Sequence, residues 1–497
     1  MKPIVRSIFT LSAFSFIERL LGFAFKIYLA GQLGATALGI YQVAFSFFMV
    51  LLTAITSGLP LVTAKRTAKC RAENALCEEY AISTASLIIS IIASAAIIAL
   101  TVAFRNIIAD TFANSTSMTL VLYMLPALLF SSVYSSFRGN LWGRQKYTLV
   151  SVLELIEQVF RIIACVVLFA IGFERLTATA LSMSVACLIS AAACAIAYFR
   201  SGGKLSKTNG EIKPLLKSST PITLSRAASS VIASLTSIAV PFILMRIGHS
   251  SDEAMYVYGY SVGMALPLLY IPLTFVGSMA FVMIPSLSRA IASKNEKSVK
   301  MQIERTIGTA IVIGGIFVPA FAALGESVGS FLYANADAGA FLAFSAWLMI
   351  PIALENITSS MMNSLELELK ALLFYVIGSA VMFGFIFIMG GSFTIEMLTV
   401  GMGISFTLSS ILNIIAMRKE VKFRLDFIVT LIKTVALIIP AYFVTKWLYN
   451  IIALSTFFRL AISASVGTAF IVIGCFLFGT LKIEYFLSNR KKGGNNA

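Results

Sequence analysis

The sequence is poor in the residues on which most catalytic and metal sites depend. Its 497 residues include one histidine, six cysteines and 12% charged residues. The four aspartates, Asp110, Asp252, Asp337 and Asp426, lie between apolar runs or at their ends. The cysteines have no metal-ligand spacing, and no G-x-x-x-x-G-K-[ST] sequence is present to bind a nucleotide. We therefore expect neither an enzyme nor a metal or cofactor site.

Long apolar runs, in contrast, fill the sequence. Hydrophobic residues make up 59% of the chain, and about 20 apolar residues in a helix cross a hydrocarbon core about 30 Å thick. Fourteen such stretches follow one another at 7–31, 37–63, 80–104, 117–137, 149–172, 177–199, 218–245, 256–284, 306–324, 340–362, 371–389, 395–416, 428–448 and 458–480. The pattern predicts an all-α polytopic membrane protein with 14 transmembrane helices.

Lysine and arginine are concentrated in every second gap between these spans. One set of segments, the N-terminus, 64–79, 138–148, 200–217, 285–305, Lys370, 418–426 and the tail, holds 28 of them. The intervening gaps hold five, Arg105, Arg175, Arg246, Lys446 and Arg459. The positive-inside rule then predicts that both termini lie in the cytoplasm. The basic residues suit anionic membrane lipids, and their spread over eight short segments argues against nucleic-acid binding.

An offset of 225 residues superposes landmarks of the two halves. Pro60 and Pro285 each end a span before a basic segment, and Pro126 and Pro351 each lie inside a span. The offset moves six spans, so both copies cross the membrane in the same direction, as in parallel repeats. We expect an N-terminal lobe of helices 1–6 (1–200), a cytoplasmic linker (201–217), a C-terminal lobe of helices 7–12 (218–417), and helices 13 and 14 with a basic tail (418–497). Two such lobes imply a central cavity and alternating access.

Ionisable residues inside the spans are functional candidates, because a charge in the membrane is costly unless it is paired or faces water. Arg19, Lys26 and Arg226 give the first helices of both predicted lobes an excess of positive charge, and arginine suits bidentate contacts with phosphate. We therefore predict that these three residues bind an anionic substrate. Further candidates for lining the cavity or coupling transport to an ion are Glu18, Glu154, Glu157, Arg161 and Glu355.

Structural interpretations of the same charges remain open. Glu157 and Arg161 are four residues apart in the favourable order for a helical ion pair, which would hold helices together rather than bind substrate. Glu18 could simply neutralise Arg19. Lys433 lies within two turns of a span end and can extend its ammonium group to the interface.

Several runs of residues resemble the stage V sporulation protein B branch of the multidrug/oligosaccharidyl-lipid/polysaccharide flippase superfamily. They are YGYSVGMALPLLYIPLTFVGSMAFVMIPSLSRA (258–290), SGLPLVTAKRTA (57–68), LGATALGIYQVAF (33–45), FRGNLWG (137–143) and IEQVFR (156–161). The resemblance implies fourteen helices in two lobes and the movement of polyprenyl-diphosphate-linked sugars across the cytoplasmic membrane. It also matches Arg19 with a basic residue of span one in the lipid II flippases, and Lys26 with a position that usually holds arginine in the sporulation branch. Arg138, Glu157 and Arg161 match the pattern of that branch in spans four and five.

The sequence thus predicts a transporter that flips a polyprenyl-diphosphate-linked oligosaccharide, a lipid II-like molecule or a polysaccharide repeat unit, to the outer leaflet. The expected partners are this substrate, membrane lipids and a coupling ion, Na⁺ or H⁺. One alternative is a cation-coupled multidrug antiporter of the same fold, which would need carboxylates exposed in the cavity. Another is a non-transporting factor of envelope or spore assembly, for which the charges in the spans would be dispensable.

Overall fold

The structure, a computed structural model, describes residues 2–389 and 394–480. These residues form eighteen α-helices and no β-strand, which confirms the all-α prediction for this part of the chain. The helices are α1 Lys2–Thr56, α2 Leu59–Ala72, α3 Leu76–Ala103, α4 Arg105–Ala109, α5 Thr116–Gly143, α6 Tyr147–Ala170, α7 Arg175–Arg200, α8 Ile212–Arg246, α9 Ser251–Tyr258, α10 Leu266–Ala292, α11 Glu296–Ile316, α12 Val318–Tyr333, α13 Ala336–Ser345, α14 Met349–Ser364, α15 Glu368–Met389, α16 Ile395–Glu420, α17 Phe427–Ile451 and α18 Thr456–Leu477. The predicted basic tail beyond residue 480 lies outside the described residues.

Twelve helical stretches among the described residues are long and apolar enough to cross a membrane, and the chain is a multi-pass membrane protein. Two differences separate this number from the predicted fourteen. The first two predicted spans fall within one stretch, Phe16–Ala72. Helix α6 is also long enough, but it is not among the twelve because it carries three charged residues, Glu154, Glu157 and Arg161. The number of fourteen stays a prediction.

Helix α1 consists of two helical segments that meet at Gly34. The backbone of Gly34 has φ 74° and ψ 173°, a conformation that is nearly exclusive to glycine. A continuous helix of 55 residues would be about 80 Å long, more than twice the thickness of the hydrocarbon core. The break lies in the predicted gap between the first two spans.

The chain divides into two compact units between Gly259 and Tyr260. In unit one, α1 packs against α5, α6, α8 and α9, and α5 also packs against α2, α3 and α7. In unit two, α14 packs against α10, α11 and α16, while α17 pairs with α18 and contacts α11 and α12. The lobes predicted from the repeat, with helices 1–6 separate from helices 7–12, stay a prediction.

The second segment of α1 approaches α9 so closely that only glycine fits at the contact. A Cβ atom on Gly39 would lie 2.1 Å from the carbonyl oxygen of Met255, and one on Gly259 would lie 1.8 Å from that of Ala35. Small residues at such crossings let helix backbones approach, which favours packing where lipid supplies no hydrophobic driving force. This contact fixes the second segment within unit one.

In unit one, predicted basic gaps meet at one end. Arg144 Nη1 donates to the carbonyl oxygen of Ser201 at 2.8 Å, and Tyr80 Oη donates to that of Gly202 at 3.1 Å. These bonds join residues at the ends of three helices, α3, α5 and α7. The gaps that the sequence analysis assigns to one side of the membrane therefore lie together.

Charge-poor gaps likewise meet one another in unit one. Asn114 Nδ2 donates to Ser251 Oγ at 3.2 Å, and the guanidinium group of Arg175 donates to the carbonyl oxygen of Gln32. Both sets of contacts agree with the alternation that the positive-inside analysis requires. Which set faces the cytoplasm stays a prediction.

Candidate substrate-binding site

A stripe of polar side chains runs along one face of α6. Glu154, Glu157, Gln158 and Arg161 are spaced at i, i+3, i+4 and i+7, so a helix places them on the same side. Gln158 is buried and the other three are half-buried. In unit one, α6 packs against α1, α5 and α7, and these helices supply the partners of the stripe.

Glu157 and Arg161, which their spacing suggests as an ion pair, take different partners. Arg161 Nη2 donates to Gln158 Oε1 at 2.7 Å, and the guanidinium carbon lies 5.6 Å from the ring centroid of Phe25 on α1. Glu157 Oε2 accepts a hydrogen bond from Ser190 Oγ on α7 at 3.0 Å. The interpretation of Glu157 and Arg161 as a direct pair is therefore wrong in this structure. Arg161 is bound by the side-chain amide of Gln158, and Glu157 is bound by the hydroxyl group of Ser190 on the neighbouring helix α7.

An ion pair links α5 to α6 beside this stripe. Arg138 Nη1 lies 3.3 Å from Glu154 Oε1, and the two side chains are 23% and 25% exposed. The guanidinium carbon of Arg138 also lies 4.6 Å from the ring of Trp142 and 5.5 Å from that of Tyr134. These aromatic contacts fix the arginine against α5 and add cation–π attraction. The sequence analysis did not predict this pair.

The first segment of α1 brings further charges to the same place. Glu18 is half-buried. Its carboxylate lies within electrostatic range of Arg19, Arg138, Glu157 and Arg161. Lys26 lies within electrostatic range of Arg161. The structure thus brings most of the predicted site residues of the N-terminal half into one cluster on α1, α5 and α6.

The excess of positive charge in this cluster lies on α1. Three carboxylates, Glu18, Glu154 and Glu157, face four cations, Arg19, Lys26, Arg138 and Arg161, which leaves a formal charge of +1. Arg138 and Arg161 have the polar partners described above. Arg19 and Lys26 are exposed and form no ion pair with any residue that the structure describes. They are the two cations of the cluster that remain free for an anionic ligand.

Arg226, the third predicted anion-binding residue, lies on α8. It is exposed and has no ion-pair partner in the described part of the chain. Ser230, one turn along α8, donates to Thr53 Oγ1 on the second segment of α1 at 3.0 Å. This bond places α8 against the second segment of α1 near Arg226, whereas Arg19 and Lys26 lie on the first segment.

Glu355 lies on α14 in unit two. Its side chain is half-buried, and Oε2 has no hydrogen-bond partner within residues 2–389 and 394–480. Thr358, one turn further along α14, accepts a hydrogen bond from Asn413 Nδ2 at 3.3 Å. A buried carboxylate oxygen without a donor is suited to a proton or a cation.

Comparison with known proteins identifies the family of the chain. Residues 4–277, more than half of the chain, match the family described as polysaccharide biosynthesis protein. The chain belongs to this family. It is 24% identical over 394 residues to stage V sporulation protein B of Bacillus subtilis (strain 168), an alignment that covers 76% of both chains. The resemblance drawn from the sequence motifs is thereby confirmed.

Solved structures share the fold of this polysaccharide biosynthesis family member. The lipid II flippase MurJ in an inward closed conformation superposes with a TM-score of 0.73 at 15% identity, over 94% of this chain and 98% of that one. An inward-facing multidrug resistance MATE family transporter of the MOP superfamily gives a TM-score of 0.70, also at 15% identity, over 82% of this chain and 94% of that one. Identities this low establish the fold alone.

One buried polar network in this family member was missed by the sequence analysis. Glu79 Oε1 accepts a hydrogen bond from Arg144 Nε at 2.6 Å, and Glu79 Oε2 accepts one from Arg71 Nε at 2.9 Å. Asn140 Nδ2 lies 3.3 Å from Glu79 Oε1 and 2.7 Å from Ser83 Oγ. The sequence analysis counted both arginines only as basic loop residues. No local spacing links residues that are 65 positions apart.

The cluster on α1, α5 and α6 therefore offers two kinds of chemistry. Arg19 and Lys26 provide exposed positive charge that forms no ion pair within the described residues. The polar side chains of α5 and α6 provide hydrogen-bond donors and acceptors whose formal charges largely cancel. An amphiphile with an anionic group and a neutral polar group would find partners for both.

Proposed function

We propose that this protein flips a polyprenyl-diphosphate-linked oligosaccharide from the cytoplasmic to the outer leaflet of the cytoplasmic membrane by alternating access. Membership of the polysaccharide biosynthesis family and a fold shared with the lipid II flippase MurJ support this proposal. The observation that carries it is that Arg19 and Lys26, on a membrane helix of the chain, are exposed and form no ion pair with any described residue.

A diphosphate has the charge and shape that this pair needs. Its oxygens accept bidentate hydrogen bonds from the guanidinium group of Arg19 and a point-charge contact from the ammonium group of Lys26. Each cation is costly in a membrane until a counter-ion or water reaches it, so the substrate relieves that cost as it binds. The prenyl chain stays in lipid during the transfer. We keep Arg226 as a further candidate contact for the same anion.

The orientation of this transfer follows from the predicted topology. We propose that both termini are cytoplasmic, with the basic gaps facing the anionic inner leaflet. The substrate then enters from the side on which it is assembled, and its sugars leave on the other. Membrane lipids are the remaining expected partners.

Carboxylates inside the helices are the candidates for coupling the transfer to Na⁺ or H⁺. Glu355 on α14 is the strongest, because its buried Oε2 has no donor in the described part of the chain. Glu18, Glu154 and Glu157 form the second set, although Arg138 and Ser190 already contact the last two. Binding of a cation or proton would remove the cost of a buried negative charge.

A cation-coupled multidrug antiporter is the second candidate function. The fold of the MATE family transporter and the three clustered carboxylates Glu18, Glu154 and Glu157 favour it. A cationic drug would have to displace Arg138 from Glu154, whereas a diphosphate meets cations that form no ion pair within the described residues. The charge distribution therefore favours the lipid-linked substrate.

Reconstitution separates the two functions. Purified protein in liposomes is given either fluorescent lipid II in both leaflets or a cationic dye with an imposed Na⁺ or H⁺ gradient. We expect the protein to make lipid II of the inner leaflet accessible to an external reagent and to leave the dye unmoved. Transport of the dye without movement of the lipid would contradict the proposal. Protein-free liposomes and an unrelated membrane protein are the controls.

A further inference from the structure

Two buried side chains at the charge cluster hold hydrogen-bonding groups without partners. Gln158 is 8% exposed, and its Nε2 has no acceptor among the residues that the structure describes. Tyr134 is 5% exposed, and its hydroxyl group is likewise without a partner there. Buried polar groups are nearly always satisfied, and an unsatisfied one bears the full cost of its desolvation. These two groups therefore require a hydrogen-bond partner from outside the described residues.

The amide of Gln158 is held in a fixed orientation. Its Oε1 accepts the 2.7 Å hydrogen bond from Arg161 Nη2, so Nε2 points away from the guanidinium group. A Cβ atom placed on Gly22 of α1 would lie 3.7 Å from this Nε2, in ordinary van der Waals contact. The free donor is thus presented to α1.

Gly22 lies on the same face of α1 as the two unpaired cations. Arg19, Gly22 and Lys26 are spaced at i, i+3 and i+7, which places them along one side of the helix. The face that carries the proposed diphosphate ligands is therefore the face that meets Gln158. A group bonded to the diphosphate would lie next to this amide.

The chemistry of the polar side chains on α5 and α6 differs from that of α1. We define the α5–α6 strip as Tyr134, Arg138, Glu154, Glu157, Gln158 and Arg161. Glu154 pairs with Arg138, and Glu157 lies next to Arg161 in the cluster, so the strip offers little net charge to an anion. The strip offers hydrogen-bond donors and acceptors side by side. Hydroxyl groups act as donor and acceptor at once, so they match such a surface.

We propose that the α5–α6 strip is the subsite for the sugar of the lipid-linked substrate, separate from the cations of α1 that hold the diphosphate. The inference rests on the proposed function and adds a division of the site into two parts. In the complex, Gln158 Nε2 and the Tyr134 hydroxyl donate to hydroxyl or amide oxygens of the sugar. Arg19 and Lys26 contact the phosphate oxygens next to it.

Binding measurements with two lipids test this division. Native mass spectrometry of the full-length protein in detergent compares undecaprenyl diphosphate with lipid II, which carries sugars on the same carrier. We expect the wild-type protein to bind lipid II about tenfold more tightly, as one or two additional hydrogen bonds allow. Equal affinity of the wild-type protein for the two lipids would overturn the sugar subsite. If neither lipid bound, the proposed function would fail as well.

Variants assign the preference to particular groups. Gln158→Leu removes the free donor without adding a charge beside the diphosphate ligands, and Tyr134→Phe removes one hydroxyl group. Each should lower the affinity for lipid II about threefold, so that together they account for the tenfold preference, and leave that for undecaprenyl diphosphate unchanged. Arg19→Ala should lower both affinities. An equal loss for the two lipids in Gln158→Leu would show that the residue acts on the fold or the diphosphate, and would contradict the inference. Thermal unfolding in detergent confirms that each variant is folded.

Discussion

Glu79 and Arg144 form an ion pair at 2.6 Å in which both side chains are almost completely buried, 0% and 1% exposed. Arg144 also donates to the carbonyl oxygen of Ser201, so the pair joins α3 and α5 to the end of α7. The second carboxylate oxygen of Glu79 contacts Arg71 of α2. One buried carboxylate therefore organises one end of unit one.

Removal of this carboxylate should destabilise the protein strongly. Glu79→Gln leaves Arg144 buried without a counter-ion, and we expect a loss of about 3–5 kcal/mol in the free energy of unfolding. The double change Glu79→Gln with Arg144→Met should lose less, because no unpaired charge remains. Thermal unfolding in detergent measures both. The exposed pair of Lys300 and Glu296 is a matched control, since Glu296→Gln should change stability little.

A double-mutant cycle should find little coupling between Glu157 and Arg161. Their separate partners, Ser190 and Gln158, predict that Glu157→Gln and Arg161→Met add to within about 0.5 kcal/mol in the free energy of unfolding. The cycle of Arg161→Met with Gln158→Leu should show a larger interaction energy, because these side chains share a hydrogen bond. A strong coupling of Glu157 to Arg161 would restore the direct pair suggested by their spacing.

Substitutions of Arg19 test the role of the free cations. Arg19→Ala should abolish flipping in liposomes while the protein still inserts in the membrane, and Arg19→Lys should recover only part of the activity because an ammonium group lacks the bidentate fork. Lys433→Ala is the matched control, since Lys433 is also a cation on a membrane helix but donates to the carbonyl oxygen of Phe478. Full activity of well-inserted Arg19→Ala would contradict the diphosphate site.

A second pair of variants tests whether Arg19 serves only to neutralise the charge of Glu18. If it does, Glu18→Gln combined with Arg19→Gln would restore the activity that Arg19→Gln alone loses. The diphosphate site predicts no such rescue, because the double variant still lacks the cation.

Labelling of introduced cysteines tests the predicted orientation. In a background with Cys77→Ser, cysteines at 208 and 295 should be shielded from an impermeant thiol reagent in intact cells, whereas one at 335 should react. Permeabilised cells should label all three positions, which shows that each thiol is accessible. Cys77 itself is exposed and should behave like position 208. Labelling of 208 or 295 in intact cells would reverse the assigned orientation.

Hydropathy and charge predicted the helices because both depend on local sequence. The predicted gap around residues 32–36 coincides with the break at Gly34, since glycine is the residue that ends a helix there at least cost. The stripe of Glu154, Glu157 and Arg161 likewise follows from helical spacing alone.

The hydrogen-bond and ion-pair partners of the polar side chains depend on tertiary contacts, so the sequence did not predict them. The free donor of Gln158 was overlooked because an uncharged amide gives no signal among charged residues. Ser190, which holds Glu157, lies 33 positions further along the chain. Glu79 was placed at the edge of a basic gap, although the fold buries it among arginines that come from other helices. Arg226 carries the same charge as Arg19, yet its helix packs on a different segment of α1.

The break at Gly34 also makes the helical register of the first segment of α1 independent of that of the second. Each residue in an α-helix turns the next side chain by about 100°, so an insertion or deletion rotates every position along the same continuous helix. The first segment of α1 presents Gly22 to Gln158, while the second presents Gly39 to Met255. A one-residue deletion before position 19 would leave both contacts in place and rotate only the residues that precede it. A deletion between 26 and 34 would rotate the first segment relative to the second, and the break at Gly34 would keep that rotation out of the second segment. Insertions and deletions can therefore change the direction of the charged side chains on the first segment of α1 without disturbing the packing of the second segment.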